Sequence, residues 1–176
     1  MEDKMKIKIY CAQKMTGLTC REIRKKAEKV SKILTEMGFE VWSPAIEEKV
    51  PMTDETLGVT SKEDLLYKWI IDKKVGMMGC HVILDVDGHL FSEGVSIERG
   101  FMRWYAWRPV VRIKPVGHVY SISDIEDDFI ASNVKQAGAI IKRRWGTRGK
   151  WVTWKLGHII TGIPKLIWIQ IRSLWL

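Results

Sequence analysis

Apolar and polar positions along the chain alternate between two periods, and the alternation predicts strands and helices in turn. Residues 6–12 place Ile7, Ile9 and Cys11 between polar or aromatic neighbours at a spacing of two, the signature of a strand. Residues 13–19 form a turn containing Gly17. From Cys20 to Met37 the apolar residues Ile23, Ala27, Val30, Ile33, Leu34 and Met37 recur at helical spacing, and Gly38 stands at the C′ position. Residues 39–42 give a short second strand closed by Ser43 and Pro44. Residues 45–60 lack periodicity and are read as a long loop. Ser61 with Asp64 begins a second amphipathic helix through Leu65, Leu66, Trp69, Ile70 and Val75. His81 to Val86 is a third strand, Val95 to Trp107 a helix, and Pro109 to Ile113 a fourth strand. Ser123 is expected to cap a last helix reaching Ile141, with Asp124, Glu126, Asp127 and Asp128 complementing its dipole.

Strands alternating with helices through short connections imply right-handed crossovers and a parallel sheet covered on both faces. The expected fold class is therefore α/β, doubly wound and Rossmann-like or flavodoxin-like, with four or five strands. At 176 residues the chain suits one such domain, placed at residues 1–145. Gly146 to Gly149 reads as a hinge before an extension over residues 146–176.

Charge sharpens that division. The net charge is +8, yet Asn133 to Leu176 contains nine Lys or Arg and no acid. The first 132 residues balance to about −1, so the basic character belongs to the end of the chain and a nucleic-acid partner is not expected for the main body. The basic end of the chain intersperses Trp145, Trp151, Trp154, Trp168 and Trp175 with Lys and Arg. That composition suits packing on the core or on a second subunit, contact with an anionic membrane surface, or stacking on single-stranded nucleic acid. Three cysteines without Cys-x-x-Cys spacing, and an N-terminus without an apolar signal core, point to a reducing, cytoplasmic setting, with peripheral membrane attachment an option.

The chemistry concentrates after the third strand. Val82-Ile83-Leu84 leads into Asp85-Val86-Asp87 and then Ser92-Glu93-Gly94-Val95-Ser96-Ile97-Glu98, a strand end, a turn and a helix start. Open α/β sheets place ligands beyond the carboxyl ends of their strands, so Glu98 is a candidate nucleophile, although acidic residues also begin many surface helices for dipole reasons alone. Asp85 and Asp87 read as solvated rather than metal-binding, and Cys80-His81 has no second pair with which to hold zinc. No GxGxxG follows the first strand and no Walker lysine motif occurs, which removes a dinucleotide or P-loop site. No cofactor or metal is expected.

Ile9-Tyr10-Cys11-Ala12 with Gly17, Gly38-Phe39-Glu40-Val41 followed by Ser43-Pro44, Asp72 eight residues before Cys80, and Ser92 six before Glu98 together resemble the nucleoside 2-deoxyribosyltransferase superfamily. In motif the chain is most similar to the nucleoside 5′-monophosphate N-glycosidase branch, over roughly residues 6–135. The resemblance implies a carboxylate, Glu98, that attacks the anomeric carbon, Asp72 as the acid or base-contacting group, and Tyr10 orienting the nucleophile against the sugar. Ser92 stands where the transferases typically have an Asp that grips a free 5′-hydroxyl, so it implies a phosphate; a carboxylate there would repel one. Gly94, Lys14, Thr16 and Gln13 would line the substrate, and Asn133 is similar to a late Asn that reaches a neighbouring subunit's site. Gln13, Lys14, Thr16 and Arg99 depart from the usual residues. An inward Arg99 would depress the Glu98 pKa, whereas an outward one would be solvated.

The implied substrate is a small nucleotide or nucleoside, and the implied assembly a homodimer or larger. Hydrolysis of a (deoxy)nucleoside 5′-monophosphate is the leading expectation. Base exchange by a deoxyribosyltransferase, a non-catalytic nucleotide-binding or membrane-associated adaptor, and cleavage of a larger nucleotide such as NAD are the rivals.

Overall fold

The computed structural model describes residues 5–56, 76–88, 92–104, 106, 108–114, 129–147 and 150–151. Within them the order is β1 (Lys8–Ala12), α1 (Cys20–Glu36), β2 (Glu40–Trp42), α2 (Pro44–Glu47), β3 (Val82–Asp85), α3 (Glu93–Trp104), β4 (Val110–Ile113), β5 (Phe129–Ala131) and α4 (Val134–Trp145), with a single 3-10 turn at Met77–Gly79. The five strands form one sheet in the order β2-β1-β3-β4-β5. Every pairing is parallel. The expected doubly wound α/β architecture is therefore present, with five strands.

The chain leaves β1 towards β2 on one side and returns to β3 on the other. The strand order thus reverses between β1 and β3, the place where open sheets of this kind leave a crevice. Register sets Ala12 beside Asp85 and Tyr10 beside Ile83, so the carboxyl ends of the two strands finish level.

Two apolar layers sandwich the sheet. On one face Ile9, Cys11, Leu84 and Val111 meet Val30 and Leu34 of α1 and Ala137, Ile141 and Trp145 of α4. On the other, Tyr10, Ala12, Ile83 and Val110 meet Val95 and Met102 of α3. Each buried aliphatic side chain contributes about 1.5–3 kcal/mol of transfer free energy, so both layers are needed to hold the helices in place.

The helix ends are set by local chemistry. Thr19 accepts from the Glu22 N–H at 3.2 Å while the Glu22 carboxylate accepts from the Thr19 N–H at 2.8 Å, a reciprocal cap worth roughly 0.5–2 kcal/mol. At the other end Gly38 adopts φ +90°, which lets the Phe39 N–H reach Leu34 O and the Gly38 N–H reach Thr35 O.

Two readings of the pattern are corrected. Pro44–Glu47 is helical where only loop was expected; Pro44 occupies the first helical position, where its missing N–H costs nothing, and Arg24 caps the Ala45 and Ile46 carbonyls. The long last helix expected from Ser123 is not continuous: Phe129–Ala131 is an edge strand beside β4, and the helix begins after Asn133. Its cap is the Asn133 side chain, which accepts from the Gln136 N–H at 2.9 Å. The acidic residues 124–128, and the helix expected over residues 61–75, lie outside the described residues.

Trp145, at the end of α4, is 1% exposed and meets Phe129 edge-on, and Trp151, from the expected extension, is 8% exposed against the same layer. Among the described residues no helix is long and apolar enough to cross a membrane.

Candidate active site

Glu98 lies on the sixth residue of α3, the helix that follows β3. Tyr10 lies in the middle of β1 and is fully buried. Its ring stacks on Trp42 of β2, with centroids 5.0 Å apart and planes 17° from parallel. That stacking fixes the ring, and the phenol O–H donates to Glu98 Oε1 at 2.5 Å. A short O–H···O⁻ bond of this length is charge-assisted. Two residues 88 positions apart in sequence are thereby joined across the crevice side of the sheet.

The surroundings of Glu98 are poor in compensation. Desolvation raises its pKa to about 7; the Tyr10 hydrogen bond opposes the rise, and the negative charge of Asp85 adds to it. Burial pushes the Tyr10 phenol well above its ordinary range, with the adjacent carboxylate as a second cause, so Tyr10 remains a donor. Near neutrality the carboxylate is divided between ionised and protonated forms. Such a group is poised either to attack as an anion or to exchange a proton.

Below this pair, the expectation that Asp85 and Asp87 are solvated is overturned. Asp85 ends β3 and is wholly buried. Its Oδ2 pairs with Arg99 at 3.0 Å and with Arg112 of β4 at 3.5 Å. Its Oδ1 accepts the Gly88 N–H at 3.0 Å and the Asp87 N–H at 3.3 Å. A buried charge requires such partners, and here two cations and two amides supply them. Asp87 accepts from the Lys14 N–H at 2.8 Å and pairs with Lys26 of α1. It ties the loop after β1 to the loop after β3. Gly88 adopts φ +59°, and a Cβ there would lie 2.0 Å from the Ile113 carbonyl oxygen, so only glycine fits where this loop crosses the end of β4.

Arg99 follows neither alternative considered for it. It points inward, but to Asp85 rather than to Glu98, and the Glu98 pKa rises instead of falling.

The other candidate residues are distributed as follows. Ser92 is half-buried and its carbonyl accepts the Ser96 N–H at 2.9 Å, capping α3; Gly94 lies in the first turn of that helix. Lys14 is half-buried and Thr16 exposed in the loop after β1. Gln13 is buried with its amide donating to Ile23 O at 3.0 Å, directed beneath α1. Asn133 is exposed and engaged with its own helix start. Asp72 lies outside the described residues. Thus Tyr10 and Glu98 meet directly, whereas the Gln13 and Asn133 side chains bond to the backbone of α1 and α4. Trp42, Asp85 and Lys26 were not singled out from the sequence for the site, although Asp85 directly after a run of buried aliphatic residues was a usable signal. Among the described residues no cluster of His, Cys, Asp and Glu could hold a metal ion.

No family model matches the chain, and no curated protein matches it in sequence. In three dimensions it is similar to a 2-deoxyribosyltransferase from the psychrotolerant bacterium Bacillus psychrosaccharolyticus, with a TM-score of 0.51 and 17% identity. The match covers 74% of this chain and 90% of that one. What the two share at that identity is the fold.

Proposed function

We propose that this protein is an N-glycosidic-bond enzyme in which Glu98 is the nucleophile. The observation that carries the reading is the 2.5 Å contact between the buried Tyr10 hydroxyl and the Glu98 carboxylate. It lies beside the point of strand reversal, in a fold shared with a protein named as a 2-deoxyribosyltransferase. A glycosyl-transferring class follows from that combination, with a nucleoside or nucleotide as substrate.

In this scheme a Glu98 oxygen attacks the anomeric carbon from the face opposite the base. The C1′–N bond breaks, and the base leaves with the electron pair and is protonated, a role given to Asp72. Water then adds to the anomeric carbon, its proton passing to a base, and the Glu98 carboxylate is released. The transition state carries positive charge on the sugar ring, which an adjacent anion stabilises. Tyr10 holds one carboxylate oxygen and leaves the other for bond formation.

The finer reading is hydrolysis of a (deoxy)nucleoside 5′-monophosphate. Ser92, uncharged at the start of α3, and Lys14, in the loop after β1, support it, because neither repels a phosphate. Incubation with a panel of nucleoside and deoxynucleoside 5′-monophosphates tests it by the release of free base and sugar phosphate. Exchange of bases between deoxynucleosides without hydrolysis would favour the transferase instead. Binding without turnover, unchanged by Glu98→Ala, would favour a non-catalytic adaptor.

A further inference from the structure

We propose that Asp85 is a positioning residue for Glu98, acting through Arg99 to fix the rotation of α3 over the sheet; this rests on the reading of Glu98 as nucleophile. Adjacent helical residues point about 100° apart, so Glu98 and Arg99 reach in different directions from one turn. Glu98 meets Tyr10 on β1, and Arg99 meets Asp85 on β3. The two strands are neighbours, with Asp85 in register with Ala12, two residues beyond Tyr10 and on the same face. The helix therefore grips two adjacent strands through two consecutive side chains. A rotation that carried Glu98 away from the phenol would also pull Arg99 off a fully buried carboxylate, depriving that charge of the closer of its two cations.

Asp85 is itself immobilised from three further directions. Arg112 approaches from β4, and the N–H groups of Asp87 and Gly88 approach from the loop that leads towards α3. One carboxylate thus fixes both the helix and the start of the connection that precedes it. Among the described residues, the charged or titratable groups bearing on Glu98 are Tyr10 from β1 and Asp85 from β3, with Arg99 and Arg112 bound to the latter. Asp85 therefore bears on the charge of Glu98 as well as its place, behind desolvation and the Tyr10 hydrogen bond. Removing the Asp85 charge stabilises the Glu98 anion. Removing Arg99 leaves more of the Asp85 charge uncompensated and disfavours that anion.

The test is the titration of Glu98, read by carbon-13 NMR of glutamate-labelled full-length protein and assigned by its disappearance in Glu98→Gln. Asp85→Asn is expected to move the midpoint down by about half a unit to one unit, and Arg99→Met to move it up by a similar amount. Arg99→Lys, which keeps the cation, is expected to return it most of the way. With a competent substrate, kcat falls about tenfold in Asp85→Asn and Arg99→Met with little change in KM, and the acid limb of the profile follows the NMR midpoint. Folded variants whose Glu98 titration stays at the wild-type position overturn the proposal. If Asp85→Asn does not fold, the Arg99→Met and Arg99→Lys pair decides. The NMR readings need no turnover, so an enzyme inactive on every nucleotide tried would count against the functional reading while leaving these shifts to judge Asp85.

Discussion

The two ends of the sheet gather polar groups in opposite ways. At the carboxyl end, Glu98 is desolvated with the Tyr10 phenol as its one hydrogen-bond donor among the described residues, and its pKa is raised to about 7. At the amino end, His81 accepts the Lys8 N–H at 3.0 Å through Nδ1 and meets Trp151 edge-on, while Arg108 lies over the same indole. Desolvation and the charge of Arg108 lower the His81 pKa, which keeps the ring neutral. Lys8, whose N–H is held there, also pairs through its ammonium with the exposed Glu40 at 3.0 Å. One end keeps a group in the protonation state that suits its hydrogen bonds. The other forces a carboxylate away from the state it prefers in water. Strain of that second kind is expected at a working site, because it opposes stability.

The sharpest break in this comparison is Glu98→Gln. It is expected to lower base release by roughly a thousandfold or more, since the amide cannot form the covalent bond. Retained turnover would remove Glu98 from the chemistry. Next in size, Trp151→Ala at the opposite end should cost about 3–5 kcal/mol in denaturant unfolding, as truncations of buried tryptophan do, with the acid limb of any activity unmoved.

Glu98→Gln should also stabilise the fold at pH 8. The folded pKa of about 7 exceeds the ordinary 4.5, so the native state binds the proton more tightly than the unfolded chain. Wild-type stability therefore falls as pH rises between those values, by an amount on the order of 3 kcal/mol, and is constant above them. The Gln variant escapes that loss, and denaturation at pH 4 and pH 8 measures it. Tyr10→Phe removes the bond that opposes the rise, so the Glu98 midpoint should climb above 7 and turnover at neutral pH should drop about tenfold. The smallest effect belongs to His81. Its depressed pKa means that stability is complete above the ordinary value of 6.5 and declines as pH falls below it, the reverse of Glu98. His81→Asn, which retains an acceptor for Lys8, should flatten that decline in melting curves taken from pH 7 to pH 5.

Much of the sheet was legible from the apolar pattern alone, because a strand buried on both faces, such as the one that begins Val82-Ile83-Leu84, reads as an apolar run. The last strand was not. Phe129–Ala131 is three residues long at an edge, too short to carry a period of two, and acidic residues before it mimic a helix start. Glu98 was visible through its place after β3 and through its resemblance to a motif. Its partner Tyr10 was visible by resemblance only, since an aromatic on a strand is ordinarily core. Asp85 was misread because two acids one residue apart usually lie in solvent. What reversed that reading was Arg112, which is 27 residues away in sequence and adjacent only after β3 and β4 pair. Long-range charge pairing of this kind leaves no local trace.

Gly88 carries a consequence for how such a pocket could be altered. Its backbone passes so near the Ile113 carbonyl that the near side of the β3–α3 connection is clamped to β4, whatever follows. Libraries that lengthen or recolour this loop should therefore leave position 88 and its acidic neighbours untouched and begin at residue 89. Diversity introduced earlier would unseat the helix that delivers the reactive oxygen before it ever met a new ligand.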